Sequence, residues 1–98
     1  METKRSTNTI WKFPLDVEDR QIVQLPVGAE ILSVQTQHEI PCLWAACDTD
    51  AEWEGVTIII HGTGHPMFDV PMQFIDTFQM KGGALVFHAF VGVTNEDS

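Results

Sequence analysis

Gly62-Thr63-Gly64-His65 is the stretch whose residue types come nearest to a ligand-holding loop. Two glycines allow positive φ and close backbone approach, so successive N–H groups could form a nest for an anion. Thr63 adds a hydroxyl, and His65 a ring nitrogen able to donate to a phosphate. The loop lacks the Lys and Ser/Thr that follow a P-loop, and the helix-opening glycines of a dinucleotide fingerprint. Its plainer reading is a turn between strands, which is what short glycine loops ordinarily are.

Other constellations carry less. His61 and His65 are four apart, a spacing that joins metal ligands on a helix but here spans a strand end and a loop. Cys42, Cys47 and His88 could join them only by tertiary coincidence, so neither a metal nor another cofactor is expected. His88 sits within the apolar run Leu85–Phe90 and is expected to be a hydrogen-bonded core imidazole with Thr77 as partner. The carboxylates of Asp48-Thr49-Asp50-Ala51-Glu52-Trp53-Glu54 alternate like the start of a calcium loop. An EF-hand from Asp48 needs Gly sixth and Glu twelfth, where this chain has Trp53 and Ile59. A solvated acidic loop remains.

Nucleophiles fare no better. Ser33 is the only serine outside the two ends and no elbow motif surrounds it. Cys47 beside Asp48 has no arranged base, and no carboxylate pair is singled out as acid and base. Binding is therefore expected rather than catalysis.

The elements that must position these residues are short strands. Turn signals at Pro26-Val27-Gly28, Glu39-Ile40-Pro41, Gly62 to Pro66 and Lys81-Gly82-Gly83 divide the chain. Strands are expected near 9–13, 20–25, 30–37, 42–48, 56–61, 73–80 and 84–91, with at most one helical turn in 66–75. That pattern predicts an all-β fold, a small antiparallel β-sandwich or barrel over residues 9–92, with 1–8 and 93–98 as flexible ends.

Two hairpins can be drawn in register. A type I′ turn at Gly82-Gly83 pairs Met80 with Leu85, Phe78 with Phe87 and Phe74 with Val91. A tight turn at Glu39-Ile40 sets Val34 against Ala45, Leu32 against Cys47, and Gln35 beside Trp44. An amide next to an indole can read a flat heterocycle by hydrogen bonding and stacking. The alternative is that Trp44 fills the core or a subunit interface.

Composition bounds the partners. Fourteen acidic against five basic residues give a net charge of −9, which repels duplex nucleic acid and anionic membrane surfaces. No apolar run approaches a membrane span, and the first nine residues lack a signal-peptide core. Cys42 and Cys47 would lie roughly 16 Å apart along one strand at ~3.3 Å per residue, beyond disulfide reach. Buried thiols in a cytosolic protein are expected. Three tryptophans and six phenylalanines are hard to bury in so small a monomer, so a homo-oligomer is expected.

The segments Trp11-Lys12-Phe13-Pro14-Leu15, Pro26 to Gln35, Pro41-Cys42-Leu43-Trp44-Ala45, Gly62 to His65, Thr77-Phe78-Gln79 and Leu85 to His88 occur together here. In that combination the chain, over residues 9–90, resembles a family of small uncharacterised proteins encoded by bacteriophages and prophages. The resemblance brings no catalytic or ligand residues. It implies a phage protein acting in the host bacterial cytoplasm, where small proteins of this kind often counter host defence. One expected form is an oligomeric sponge for a nucleotide-derived immune signal, its pocket built from Gly62, Thr63, Gly64, His65, Trp44, Gln35, Lys12 and Lys81. The alternatives are an acidic inhibitor of a basic host protein and a virion accessory or structural protein. A small hydrolase built on His65 ranks last.

Overall fold

Seven short segments bounded by turn signals, most densely β-branched and aromatic in β1 and β5, are strands in the computed structural model, which describes residues 7–93. They are β1 (Thr9–Pro14), β2 (Arg20–Pro26), β3 (Glu30–Gln37), β4 (Ile40–Cys47), β5 (Trp53–Gly62), β6 (Met72–Met80) and β7 (Leu85–Gly92). A three-stranded sheet, β1-β4-β3, faces a four-stranded sheet, β2-β5-β7-β6, and every neighbouring pair is antiparallel. The chain is the all-β sandwich its sequence predicts.

No helical turn lies in 66–75; the chain there is irregular to Pro71 and then enters β6. A tight turn with positive φ at Lys81, Gly82 and Gly83 occurs instead between β6 and β7. Of the ends expected to be flexible, 1–6 and 94–98 lie outside the described residues. Asn8 donates its amide to the Cys47 carbonyl at 2.7 Å, and Val93 donates to Pro71 at 3.0 Å. Among the described residues no helix is long and apolar enough to cross a membrane.

Between the sheets lie Leu25, Val34, Leu43, Ala45, Ile58, Ile60, Phe78 and Ala89, all buried. Alternation puts them there: β-strand side chains point to opposite faces in turn, so Leu43 and Ala45 enter the core while Trp44 leaves it. Cys42 and Cys47 are buried free thiols, as their spacing implies. Burial pushes the Cys47 thiol pKa up, against the smaller opposing effect of a hydrogen bond from the Trp11 backbone.

The β6–β7 hairpin follows its sequence signal. Gly82 (φ 62°, ψ 25°) and Gly83 (φ 95°) form the I′ turn, closed by the Ala84 amide on the Lys81 carbonyl at 3.1 Å. Met80 meets Leu85 and Phe78 meets Phe87, whose rings stack at 5.5 Å. The register then shifts between Phe74 and Asp76, so Phe74 faces Phe90 rather than Val91.

The β3–β4 hairpin corrects its expected register by two residues. His38 and Glu39 (φ 54° and 65°) make the turn, and Gln37 pairs with Ile40. Pro41 is the reason. A turn at Glu39-Ile40 would need an N–H at position 41 to close the hairpin, and proline has none. Val34 therefore faces Leu43, and an irregularity between Ile31 and Ser33 shifts the pairing by one more residue, bringing Ile31 to Ala45. Leu32 does not meet Cys47, and Gln35 lies opposite Cys42 while Trp44 lies opposite Ser33.

Side chains, not a backbone ladder, join the two sheets along β3 and β6. Gln35 Nε2 donates to the Thr77 carbonyl at 3.2 Å, and Thr36 Oγ1 to the Gln79 carbonyl at 3.2 Å. At the turns, the Lys81 amide donates to Glu39 Oε1 at 2.7 Å.

Candidate functional site

Gly62 ends β5 opposite Phe87, and the chain turns at once. The His65 amide donates to the Gly62 carbonyl at 3.0 Å, with Gly64 at φ 89° in the position where a type II turn requires positive φ. Thr63 continues the ladder for one residue, its amide on the Val86 carbonyl at 3.1 Å. The expected anion nest is thereby undone: the middle amide of Gly62 to Gly64 is spent on β7. A β ladder can outlast its first glycine, which motif spacing alone does not reveal.

Thr63 Oγ1 also lies 3.1 Å from the Val86 carbonyl and 2.8 Å from His88 Nε2. With the hydroxyl hydrogen on Val86, Thr63 accepts from an Nε2–H imidazole. His88 Nδ1 then accepts from the Thr77 hydroxyl at 3.0 Å, the partner expected for it. His61, only 5% exposed, uses Nε2 to accept the Phe68 amide at 3.2 Å. Its ring meets Phe68 and Phe90 edge-on, and the Arg20 guanidinium lies 5.2 Å from the Phe68 ring. Residues 63–71 are thus strapped across the outer face of the four-stranded sheet.

Where β5 stops and β7 runs on, a groove of about 540 Å³ opens between Gly62, Thr63 and His65 on one wall and Ala84, Leu85, Val86 and Phe87 on the other. Its β7 wall is apolar; its loop wall carries a hydroxyl and an imidazole. On the far side of the same loop a smaller cavity of about 190 Å³ touches His61, His65, His88, Met67 and Phe90. Three histidines line it, yet no group of three His, Cys, Asp or Glu among the described residues is placed to hold a metal ion. Both ring nitrogens of His88 and Nε2 of His61 have hydrogen-bond partners within the protein.

Residues 6–98 match a family described as a domain of unknown function, DUF7352. The chain belongs to that family. No curated protein and no solved structure matches it.

Within the DUF7352 domain the expected pocket residues divide. Gly62, Thr63, Gly64 and His65 form one loop, and Lys81 stands in the turn that leads to Ala84 at the groove. Trp44 and Lys12 lie on the other sheet, paired across β4 and β1, with the Lys12 ammonium 5.8 Å over the indole and 2.6 Å from Gln37 Oε1. Gln35 serves the seam between the sheets. These three do not line the groove. The wall Ala84–Phe87 and the strap residue Phe68 were not predicted as site residues. The strongest hint of that wall was the length of the apolar run after Gly83, one that outlasts its neighbour at Gly62.

Proposed function

We propose that this protein is a small phage-encoded binding protein that sequesters a nucleotide-derived signal of host defence in the host cytoplasm. The observation that carries the reading is the asymmetric groove beside Gly62–His65: one apolar wall with a hydroxyl and an imidazole facing it. Its volume is in the range of small-molecule sites, and such sites pair an apolar lining with a few polar groups. A flat heterocycle suits it better than a bare phosphate, because no lysine or arginine lines it. The base would lie on Leu85, Val86 and Phe87, with His65 reading its edge and Thr63, its hydroxyl hydrogen held by Val86, offering only a lone pair. Phosphates would project toward the turn that carries Lys81. No activated nucleophile or acid–base pair accompanies the groove, so retention rather than conversion of the ligand is proposed.

Calorimetry against cyclic dinucleotides, cyclic trinucleotides and ADP-ribose derivatives tests this. Micromolar binding of at least one is expected; no binding of any sinks the reading.

A second reading is an acidic inhibitor of a basic host enzyme. It is favoured by the exposed carboxylates of Asp50 and Glu52 in the β4–β5 loop and Glu54 at the start of β5, beside which Trp53, half exposed, stacks on Trp11 at 5.9 Å. An indole among carboxylates suits an arginine side chain.

A further inference from the structure

A sandwich of two open sheets has four edges, and this one treats them unequally. The β3 and β6 edges face each other and are bound by the side-chain seam. The β1 edge is defended. The Leu15 amide donates to the Pro41 carbonyl, which fixes Leu15, Phe13 and Trp11 as the residues bonded to β4. Ile10, Lys12 and Pro14 then direct their backbones outward; a lysine and a proline at an edge discourage further pairing.

The β2 edge is guarded only at its two ends, by Arg20 and Pro26. The Ile60 amide on the Asp19 carbonyl and the Val27 amide on Glu52 set the phase of the β2–β5 ladder. Asp19, Gln21, Val23, Leu25 and Val27 bond to β5, so Arg20, Ile22 and Gln24 turn their N–H and C=O groups away from it. Among the described residues none hydrogen-bonds those groups. From Gln21 to Leu25 the strand carries no charge and no bulge, in a chain of net charge −9. Within it Ile22 is 68% exposed, the most exposed large apolar side chain among the described residues. Beside it an apolar depression of about 450 Å³ is lined by Ile59, Val70 and Val93.

We infer that β2 is the interface through which two copies of this chain pair, antiparallel, about a dyad at Ile22. This goes beyond the ligand reading and does not depend on it. The edge is self-complementary. In that register Ile22 exchanges both backbone bonds with its counterpart, and Arg20 does the same with Gln24 of the second copy on each side of the dyad. No like charges face each other across the junction. Parity is preserved as well: outward-bonding residues of one copy meet outward-bonding residues of the other, so the two outer faces become one surface. Ile22 then packs on Ile22, and the two apolar depressions flank the dyad. The result is an eight-stranded continuous sheet with closed twofold symmetry. Five residues of each copy, Arg20 to Gln24, pair in that register, a contact at the small end of specific interfaces, so the dimer is expected in the micromolar range.

The test is molar mass by light scattering and sedimentation from 1 to 500 µM, on the full chain. Wild type is expected to approach twice its 11.0 kDa. Ile22→Lys should return it to a monomer with an unchanged circular dichroism spectrum, whereas Ile10→Lys on the β1 edge should remain a dimer. Register is read independently with Ile22→Cys: a dyad pair places two Cα atoms about 5.5 Å apart, within disulfide reach. Oxidation should cross-link Ile22→Cys into a covalent dimer and leave Gln24→Cys uncross-linked. A wild-type monomer at 500 µM, or a dimer that survives Ile22→Lys, overturns the inference.

Discussion

Asp76 Oδ2 accepts the Val34 amide at 3.3 Å, so a carboxylate on β6 takes a backbone donor from β3 in the opposite sheet. Its other oxygen accepts the Thr77 amide at 3.0 Å. The placement depends on the register shift next to Asp76, which lies between Phe74 and the rest of β6. Bulges re-aim side chains in this way. The seam that turns two sheets into one unit begins at this contact.

Asp76→Ala should therefore destabilise the fold by about 1.5–3 kcal/mol, the range for a hydrogen bond to a charged group whose loss leaves the amide of buried Val34 unsatisfied. Urea denaturation measures it. Asp76→Asn keeps an acceptor and should lose less. Equal stability of Asp76→Ala and wild type would mean that the seam contributes nothing.

The Phe78–Phe87 stack divides its cost unevenly. Phe78 is 1% exposed and sits among Val34, Leu43 and Ile58 in the core, while Phe87 is only half-buried at the groove. Phe78→Ala should cost about 3–5 kcal/mol, a large share of a small domain's stability. Phe87→Ala should cost clearly less. A double-mutant cycle should return a coupling of about 0.5–1.5 kcal/mol for the stacked pair. Near-wild-type midpoints for Phe78→Ala would contradict the pairing.

That hairpin was legible because its turn chemistry is local: two adjacent glycines select the I′ turn, and the turn fixes the register. The β3–β4 hairpin was misplaced by the same logic applied to weaker signals. His38 and Glu39 take positive φ without being glycine, and only the missing N–H of Pro41 shows where the turn must fall. The error carried straight into the site, since it put Gln35 beside Trp44. The groove was half legible. Glycine spacing marked Gly62–His65, but its other wall depends on β7 starting two residues beyond Phe87, the partner of the last β5 residue Gly62, which no local pattern encodes.

Cys47 supplies a pH signature. Burial raises its thiol pKa in the folded state, so folding favours the protonated thiol. The sign follows: this stabilisation is fully present below the unfolded thiol's pKa of about 8.5 and is lost as pH rises beyond it. Denaturation midpoints should fall between neutral pH and the strongly alkaline range, and Cys47→Ala should flatten that fall whatever it does to stability at pH 7. A slope identical in both proteins would assign the alkaline loss to other groups. Native Cys47 should also resist alkylation at pH 8 until the protein unfolds.

The groove is tested most directly by variants on its two walls. Leu85 is 42% exposed, so Leu85→Glu should fold normally while placing a carboxylate where a heterocycle must stack. Loss of ligand heat with intact thermal unfolding is expected. His65→Ala should weaken binding by about 1.5–3 kcal/mol if the imidazole donates to a charged acceptor, and by about 0.5–1.5 kcal/mol if the acceptor is neutral. Gly62→Ala acts indirectly: a Cβ there would meet His65 Nδ1 at 3.1 Å and push the ring from its place. Gly64, at φ 89° with open space around it, can be tested for strain alone. Gly64→Val should destabilise the turn without touching the ligand, and its effect on affinity should follow only from the displaced His65. If Leu85→Glu and His65→Ala both bind a nucleotide as wild type does, the ligand sits elsewhere and the groove is only the gap left by a short strand.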